Sequence, residues 1–387
     1  MTQALENNTT LKNISLEGSS RVREGWKTFF GFLRNSNIIH LHIPFNGIDD
    51  EDIACLANAL LNNTKLKSLV LFENDNVTST GWNNFFSLLQ NPQSALSLQE
   101  LNVRDNNIDD EVASSLTNAL ASKPKLKSLD ISSNAFTTRG WRIFFNRHLT
   151  LEQLIMDASQ IDDEAAVLLR DALITNGSLK KLSIRAGRSG AVTNCITLAG
   201  WHAMAAILQN LNCTLEDLNL GVNNTTGEIF TMIARALYNN RTLTSLEMST
   251  TDPHQYIWPF SNLLCDESNV MSTYDSNTTL QVLRVSNESG GGGYFNVARI
   301  NRSLELNKNN NKFEAARHKI LLHHFLYGDV QEFIEMETPV LPRAIAWAGR
   351  DMDGHSLLYQ ILRCIPSLFG SFEKDNLVIL KRKRGMM

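Results

Sequence analysis

Three copies of an acidic tetrapeptide are the first residues in this 387-residue chain whose types and spacing could do chemistry. Each copy reads Ile-Asp-Asp-Glu, and the copies occupy residues 48–51, 108–111 and 161–164. Clustered carboxylates can bind a metal ion or serve as general acid and base. Acidic residues at the start of a helix also cap free backbone N–H groups and offset the helix dipole. Because whole predicted helices and strands separate the copies, they are too far apart to share one ion, and the sequence favours capping.

Histidines and cysteines are the other candidate metal ligands. His40 and His42 project to one side of a predicted strand, without a third ligand placed to join them. His318, His323 and His324 fall within one predicted helix, but none are four residues apart, the spacing that directs two imidazoles at one metal. The five cysteines are scattered, with no pair spaced for zinc or redox work: Cys55, Cys195, Cys213, Cys265 and Cys364. We therefore expect no metal and a reducing compartment.

Catalytic motifs are absent from the sequence. The chain has no H-E-x-x-H, C-x-x-C, G-x-S-x-G or G-x-x-x-x-G-K-[ST] pattern. The four glycines at 290–293 lack the Gly-Lys-Ser/Thr context of a phosphate loop. Arg350, Asp351, Asp353 and His355 could form an acid/base group, but helix capping and surface pairing explain them equally well. We predict that the chain is not an enzyme, with no catalytic residues and no cofactor.

The elements that position all these residues come from a repeat. The pattern L-x-x-L-x-L returns ten times, starting at residues 11, 38, 66, 98, 126, 151, 179, 215, 243 and 280. Leucines at its fourth and sixth positions point to one side of a short strand, since side chains alternate with a period of two. An amphipathic helix follows, as in Ile53, Leu56 and Leu60. Neither piece buries its apolar face alone, so stacked units must share one core.

The predicted helices alternate between two types. One type carries the acidic tetrapeptide, and the other carries Gly-Trp, at residues 25–26, 81–82, 140–141 and 200–201. Successive tryptophans are about 58 residues apart, so the full period is a pair of units. Trp258 is expected to begin a degenerate fifth copy of the second type. We predict that the tryptophans pack in the core.

Units of about 28 residues with paired helix types resemble the ribonuclease-inhibitor-like subclass of leucine-rich-repeat proteins. The resemblance covers roughly residues 1–290. It implies an α/β fold: a right-handed leucine-rich-repeat solenoid, or horseshoe, with a parallel sheet on the concave side and helices on the convex side. Members of this subclass mostly bind proteins along the concave face. No motif allows functional residues to be carried over from a particular member.

The sequence divides into four predicted segments. Residues 1–290 form a solenoid of about ten repeats, and residues 291–312 a flexible Gly/Asn-rich insertion. Residues 313–370 are predicted to be a helical C-terminal cap, in which Phe313, Ala316, Ile320 and His324 share a face. This segment resembles the C-terminal region of algal leucine-rich-repeat proteins of unassigned function. Residues 371–387 form a tail with a basic run at 381–384.

Charge and hydropathy limit the partners. With Lys+Arg 36, Asp+Glu 40 and a formal net charge of -4, the chain lacks the positive field that nucleic acid requires. No segment approaches the roughly 20 apolar residues needed to cross a membrane. The polar start lacks the pattern of a secretory signal. We expect a cytoplasmic protein, monomeric alone, that binds an unknown protein, with the basic tail as an alternative nuclear address.

The third, fifth and seventh positions of the pattern should face outward on the concave sheet. Small polar residues are expected there, so apolar and charged exceptions indicate a binding surface. The predicted site residues are His42, Val70, Phe72, Arg104, Asp130, Ile155, Asp157, Lys181 and Arg185. This pattern favours a non-catalytic protein-binding scaffold or inhibitor. The alternative, which follows from the resemblance, is a regulatory module acting on a nucleotide-dependent enzyme, such as a GTPase activator.

Overall fold

The computed structural model describes residues 10–18, 23–91, 96–123, 125–147, 149–187, 194–223, 225–287, 297–309 and 311–325. The chain divides into two compact units. The first comprises Met1–Phe260 and Thr279–Val297, and the second comprises Ser261–Thr278 and Ala298–Met387. In the described parts of the chain, no helix is both long and apolar enough to cross a membrane.

The first unit is built on a ten-stranded parallel sheet in which strand order follows chain order from β1 to β10. The strands are β1 Asn13–Ser15, β2 His40–His42, β3 Ser68–Val70, β4 Glu100–Asn102, β5 Ser128–Asp130, β6 Gln153–Ile155, β7 Lys181–Ser183, β8 Asp217–Leu220, β9 Ser245–Thr250 and β10 Val282–Asn287. The sheet is open, with β1 and β10 at its two edges.

Every predicted L-x-x-L-x-L unit supplies one strand, and the predicted register is confirmed. The fourth position of each pattern is the second residue of its strand, and these residues are aligned across the sheet, as with Leu41, Leu69 and Leu101. The three leucines are buried, and in β2 and β4 the residues on either side of the leucine are exposed or half-buried. The architecture of the first unit is therefore an α/β leucine-rich-repeat solenoid.

Helices connect successive strands through most of the first unit. They are α1 Arg23–Leu33, α2 Asp50–Leu61, α3 Ser79–Leu89, α4 Ala113–Ser122, α5 Thr138–Phe145, α6 Asp163–Ile174, α7 Leu198–Gln209 and α8 Gly227–Ala236, followed by the shorter α9 Pro253–Tyr256 and α10 Trp258–Leu264. The apolar stripe of each longer helix is buried against its neighbours, as with Ile53, Leu56 and Leu60 of α2. This packing buries faces that neither a strand nor a helix could bury alone.

The tryptophans of the Gly-Trp helices lie in the core, as predicted. Trp82 is fully buried, with its ring centroid 5.7 Å from that of Phe85 in an edge-on contact and 5.8 Å from that of Phe86 in a stacked one. Trp258 does not continue the series, because 56% of its surface is exposed. Phe260 is buried instead and packs edge-on against Phe230. The interpretation of Trp258 as a core position was therefore wrong.

A ladder of buried asparagines runs along the carboxyl ends of the strands. Asn74 Oδ1 accepts a hydrogen bond from the backbone N–H of Asn46 at 3.1 Å, and Asn106 Oδ1 accepts from Asn74 N–H at 2.9 Å. Asn134 Oδ1 continues the ladder by accepting from Asn106 N–H at 3.1 Å. Each asparagine side-chain amide therefore provides hydrogen-bond partners for backbone groups at the point where a strand ends and the chain turns toward the next helix.

The first aspartate of the acidic tetrapeptide caps its own helix, as predicted, in two of the three copies. Asp49 Oδ1 accepts hydrogen bonds from the N–H groups of Glu51 and Asp52 at 3.0 and 3.1 Å. Asp162 Oδ1 accepts from Ala165 N–H at 2.8 Å. Asp109 Oδ1 accepts from Glu111 N–H at 3.0 Å, but its helix begins only at Ala113 and has no side-chain cap, so the prediction is wrong for this copy.

The second aspartate of the tetrapeptide binds the next repeat instead. Asp50 Oδ1 accepts from the N–H of Thr78 at 2.7 Å, and Asp110 Oδ1 accepts from the N–H of Thr137 at 2.8 Å. Both threonines immediately precede Gly-Trp helices and also donate their hydroxyls to these carboxylates. The tetrapeptide therefore joins each acidic helix to the following Gly-Trp helix.

The second unit contains α11 Val270–Asp275, α12 Ala298–Asn309, α13 Lys312–Ile320 and a π-helix over Leu321–Phe325. Helix α12 lies where the sequence predicted a flexible insertion; Ile300 and Leu304, one helical turn apart, are buried despite the polar composition. Phe313 is half exposed, whereas Ala316 and Ile320, which were predicted to share its helix face, are buried. Residues 326–387, with most of the predicted cap and the basic tail, lie outside the described residues.

Candidate protein-binding surface

The face of the sheet opposite the helices carries the predicted site residues. In β2, β4 and β7 the central leucine is buried while its two strand neighbours are exposed or half-buried. Adjacent parallel strands lie about 4.8 Å apart, so the outward side chains form rows across the strands. We call this surface the open face.

The most apolar part of the open face is an aromatic patch formed by His42, Phe45 and Phe72. The Phe45 ring meets the Phe72 ring edge-on with centroids 5.0 Å apart, and the His42 ring lies 5.8 Å from Phe72. Phe45 is 39% exposed, and His42 and Phe72 are half-buried. Three neighbouring rings that remain accessible to water are the kind of surface that anchors a protein partner.

Phe45 was not predicted as a site residue because it lies one position after the seventh position of the pattern, and only the third, fifth and seventh positions were expected to face outward. It immediately precedes Asn46 of the asparagine ladder and has a left-handed backbone, with φ 56. Its N–H donates to the Phe72 carbonyl at 3.2 Å, which fixes the two residues side by side. The asparagine that recurs after β2 to β5 was a usable signal, since the residue before it has a left-handed backbone in each of these repeats.

Acidic side chains border the aromatic patch. Glu73 and Asp105 occupy the same left-handed position in the next two repeats, with φ 53 and 58. Burial raises the pKa of Glu73, the negative charges of Asp105 and Asp75 raise it further, and Arg104 opposes them. The side of the aromatic patch next to β4 is therefore negatively charged, because Arg104 is the one basic residue beside the carboxylates of Glu73, Asp75 and Asp105.

Asp130 is engaged within the array. Its Oδ1 accepts from Ser132 N–H at 3.0 Å and its Oδ2 accepts from Asn102 Nδ2 at 3.1 Å. Burial raises the pKa of Asp130, and the Asp157 charge adds to this, although Ser132 hydrogen bonds and Arg104 act in the opposite direction. The carboxylate therefore stabilises the turn after β5, a role that the charge pattern did not predict.

Asp157 also has partners within the array. Its Oδ1 accepts from Ser183 Oγ at 2.6 Å and from the N–H of Arg185 at 2.8 Å. Arg185 is half-buried beside Gly221, where a Cβ atom would lie 3.2 Å from Arg185 Nε. A larger residue at position 221 would therefore crowd the arginine side chain.

The structure disperses the remaining predicted residues. Val70 is in register with His42 across β2 and β3 and borders the aromatic patch. Ile155 pairs with Asp130 and Ser183 and is an isolated apolar side chain. Lys181 is exposed at the start of β7. The site residues predicted from the sequence therefore fall into two regions of the open face: the surroundings of the aromatic patch, and a polar region around β5 to β7.

One group of candidate metal ligands occurs in the second unit. Within the described ranges, clusters of at least three His, Cys, Asp or Glu donors are limited to Cys265, Glu267 and His323. The carboxylates of the acidic tetrapeptides form no such cluster, consistent with their use in capping.

Comparison with known families identifies the repeat itself. A family model described as the Leucine Rich repeat matches residues 34–57, 95–116 and 122–140. These segments contain β2, β4 and β5 together with the beginnings of the helices that follow them. Among curated proteins, no sequence matches the chain.

Several solved structures are similar to the chain. The leucine-rich repeat-containing protein LegL7 from Legionella pneumophila is 12% identical with a TM-score of 0.49, and the match covers 80% of this chain and 95% of that one. A chain of the Rad7 and Elc1 complex from yeast is 19% identical with a TM-score of 0.34, over 73% and 81%. A protein from Bacteroides fragilis is 14% identical with a TM-score of 0.36, over 62% and 67%.

Proposed function

We propose that this leucine-rich-repeat protein is a non-catalytic scaffold or inhibitor that binds a protein partner on the open face, with the aromatic patch as its anchor. The observation that carries the proposal is the exposure of Phe45, whose ring is held edge-on to Phe72 at 5.0 Å. Aromatic side chains in a central position supply much of the binding energy at protein interfaces, since their large surfaces are desolvated on contact.

The charges around the patch indicate the chemistry of the partner. Glu73 and Asp105 raise the local negative potential, and Arg104 is the basic side chain beside them. A partner segment that places an apolar side chain on the aromatic patch and a lysine or arginine beside Glu73 would complement both features. Such complementarity favours correct encounters more than it adds affinity.

The experiment is affinity capture from native lysate followed by mass spectrometry and a direct binding measurement with the captured protein. The Phe45→Ala/Phe72→Ala double variant is compared with wild type, and Tyr238→Ala is the matched control. Tyr238 is another exposed aromatic residue, 44% exposed, and it follows α8. Circular dichroism and thermal unfolding verify that each variant is folded.

We expect a partner that wild type and Tyr238→Ala retain and the double variant loses, with affinity reduced by at least about tenfold. A partner retained equally by the double variant contradicts the anchor role of the aromatic patch. If the protein stimulates GTP turnover by the captured partner, the alternative function, a regulatory module acting on a nucleotide-dependent enzyme, is supported instead of the scaffold.

A further inference from the structure

Three donors of different chemical kinds meet in the second unit. Cys265 lies directly after α10, Glu267 follows two residues later, and His323 comes from the π-helix. One ligand atom of each residue lies within 4.8 Å of the other two. Cys265 is buried, whereas Glu267 and His323 remain partly accessible.

We propose that Cys265, Glu267 and His323 form a binding site for a divalent metal ion of the zinc class. Zinc is bound by cysteine sulfur, histidine nitrogen and carboxylate oxygen, in tetrahedral geometry. A thiolate and an imidazole together select borderline and soft ions over magnesium or calcium. Three protein donors leave a fourth position, and the accessible sides of Glu267 and His323 let water occupy it.

The distances allow an ion to enter with small movements. His323 Nδ1 lies 2.6 Å from Glu267 Oε1, a direct hydrogen bond or ion pair. With zinc bonds of ~2.0–2.2 Å, tetrahedral N and O ligands lie ~3.3 Å apart, so this pair must open by about 0.7 Å. A sulfur and a nitrogen ligand lie ~3.5 Å apart around zinc, which is within the present spacing of the cluster.

The π-helix explains how His323 comes to face the cysteine. Helix α13 is regular to Ile320, and the chain then continues as a π-helix through Leu321–Phe325. Such distortions rotate the following side chains relative to an α-helix and occur frequently at functional sites. Histidine spacing within the helix did not predict this cluster, because its other ligands lie elsewhere in the chain, with Glu267 56 residues before His323.

Basic residues around the cluster define its charge balance. Arg299 Nη2 lies 3.1 Å from Glu267 Oε1, the oxygen that also contacts His323, and this contact orients the carboxylate toward the site. Lys319 is buried close to Cys265 and donates to the Asn277 carbonyl at 3.1 Å. A divalent ion with a cysteine thiolate and a glutamate is electrically neutral. The metal-free thiol and glutamate together carry one negative charge, so binding with loss of the thiol proton leaves a neutral site beside these two cations.

Binding requires the loss of one proton. The buried Cys265 is a thiol in the metal-free protein, since burial raises its pKa to about 11. When the sulfur–metal bond forms, the S–H bond breaks and the proton passes to solvent. The bound ion would then join residues 261–278 to the segment after residue 298, two stretches that are distant in sequence.

The test uses the full chain, freed of metal by a chelator and titrated with Co²⁺, a spectroscopic substitute for zinc. Wild type should gain a thiolate-to-cobalt charge-transfer absorption that saturates at one equivalent and is removed by added Zn²⁺. Cys265→Ser and His323→Gln should each lose it. Cys195→Ser, which removes an exposed thiol of the first unit, should retain it.

His323→Gln keeps the proposal falsifiable if Cys265→Ser fails to fold, because His323 is partly exposed. We expect this variant to bind zinc at least about tenfold more weakly in calorimetry, as expected from the loss of a ligand. Absence of the charge-transfer band in folded wild type, or its persistence in Cys265→Ser, would overturn the proposal and leave a hydrogen-bonded ion network in its place.

Discussion

Asp163 Oδ1 accepts a hydrogen bond from the backbone N–H of Gly200 at 3.0 Å, and a Cβ atom on Gly200 would lie only 2.5 Å from that oxygen. The same carboxylate accepts the N–H of Thr197 at 2.7 Å and its hydroxyl. Burial raises the pKa of Asp163, but these hydrogen bonds outweigh burial and hold the pKa below its ordinary value. The acidic and Gly-Trp motifs therefore form one interaction between successive repeats.

Gly200→Ala should lower the free energy of unfolding by about 2 kcal/mol, since the methyl group must displace Asp163 or strain the helix start. The matched control is Gly177→Ala, because a Cβ atom on Gly177 has nothing within 4 Å. Urea unfolding measures both. In the Gly200→Ala background, removal of Asp163 should cost less than in wild type. Equal losses for the two glycine variants would contradict the steric argument.

The periodic features of this fold could be predicted from sequence because they depend on local rules. Side-chain alternation fixed the burial of Leu69 and its equivalents, and capping chemistry assigned Asp49 correctly. The bridge from Asp163 to Gly200 could not be predicted, since it joins residues 37 positions apart whose only signal was their co-occurrence in alternate repeats.

The candidate surfaces were harder to predict for a different reason. Phe72 follows from the outward positions of the strand, but Phe45 depends on the left-handed turn that precedes the asparagine ladder. The charge pattern could not show that Asp130 and Asp157 accept hydrogen bonds inside the array. The roles of Phe45, Asp130 and Asp157 depend on contacts with residues in neighbouring repeats, and the periodicity of the sequence carries no information about such contacts.

Asn134→Ala should destabilise the first unit by about 3 kcal/mol. Asn134 accepts from Asn106 and Ile108 and donates to the carbonyls of Val103 and Ile131, so alanine leaves several buried groups unpaired. Asn76→Ala is the control, because Asn76 is exposed and makes a long hydrogen bond at 3.3 Å. Its loss should stay within about 0.5 kcal/mol in denaturant unfolding. A small effect at Asn134 would mean that water replaces the ladder.

Phe45→Asn should separate binding from stability. Asparagine tolerates the left-handed backbone, so the substitution relieves about 1 kcal/mol of backbone strain at position 45. This gain offsets a loss of similar size in the stabilising contact between the Phe45 and Phe72 rings. Stability should therefore change by less than about 0.5 kcal/mol, while affinity for a captured partner falls. Phe45→Ala, which loses the ring and keeps the strain, should weaken binding equally and also lower the unfolding midpoint. Unchanged binding in both variants would exclude Phe45 from the interface.

Salt should slow association with the proposed partner. If Glu73 and Asp105 attract a basic segment, the association rate falls as ionic strength rises toward ~1 M, where the screening length is about 3 Å. Stopped-flow measurement of the wild type should show this dependence, and a Glu73→Gln/Asp105→Asn variant should show a shallower one. Dissociation rates should change little. An association rate independent of salt would leave the aromatic patch as the sole determinant of recognition.

Lys319→Met should stabilise the metal-free protein at pH 7, and the gain should shrink as the pH rises. Burial lowers the pKa of Lys319 to about 8 from 10.5 in the unfolded chain, so the penalty is present below pH 8 and is relieved between pH 8 and 10.5. The gain at neutral pH is on the order of 2 kcal/mol. The Asn277 carbonyl keeps a partner in the variant, since Asn307 Nδ2 also donates to it at 3.2 Å.

Cys265 imposes the opposite trend at higher pH in both proteins. Burial raises its thiol pKa from 9.0 to about 11, so the stability that it contributes below pH 9 is lost as the pH rises through 11. Wild type should therefore become more stable from pH 8 to 9, and it should change little from pH 9 to 10.5, where the two trends oppose each other. Lys319→Met should stay level to pH 9 and then weaken. Denaturant unfolding of both proteins across this range, with a chelator present, measures the difference. A difference that stays constant with pH would show that Lys319 is not held in a charged, desolvated state.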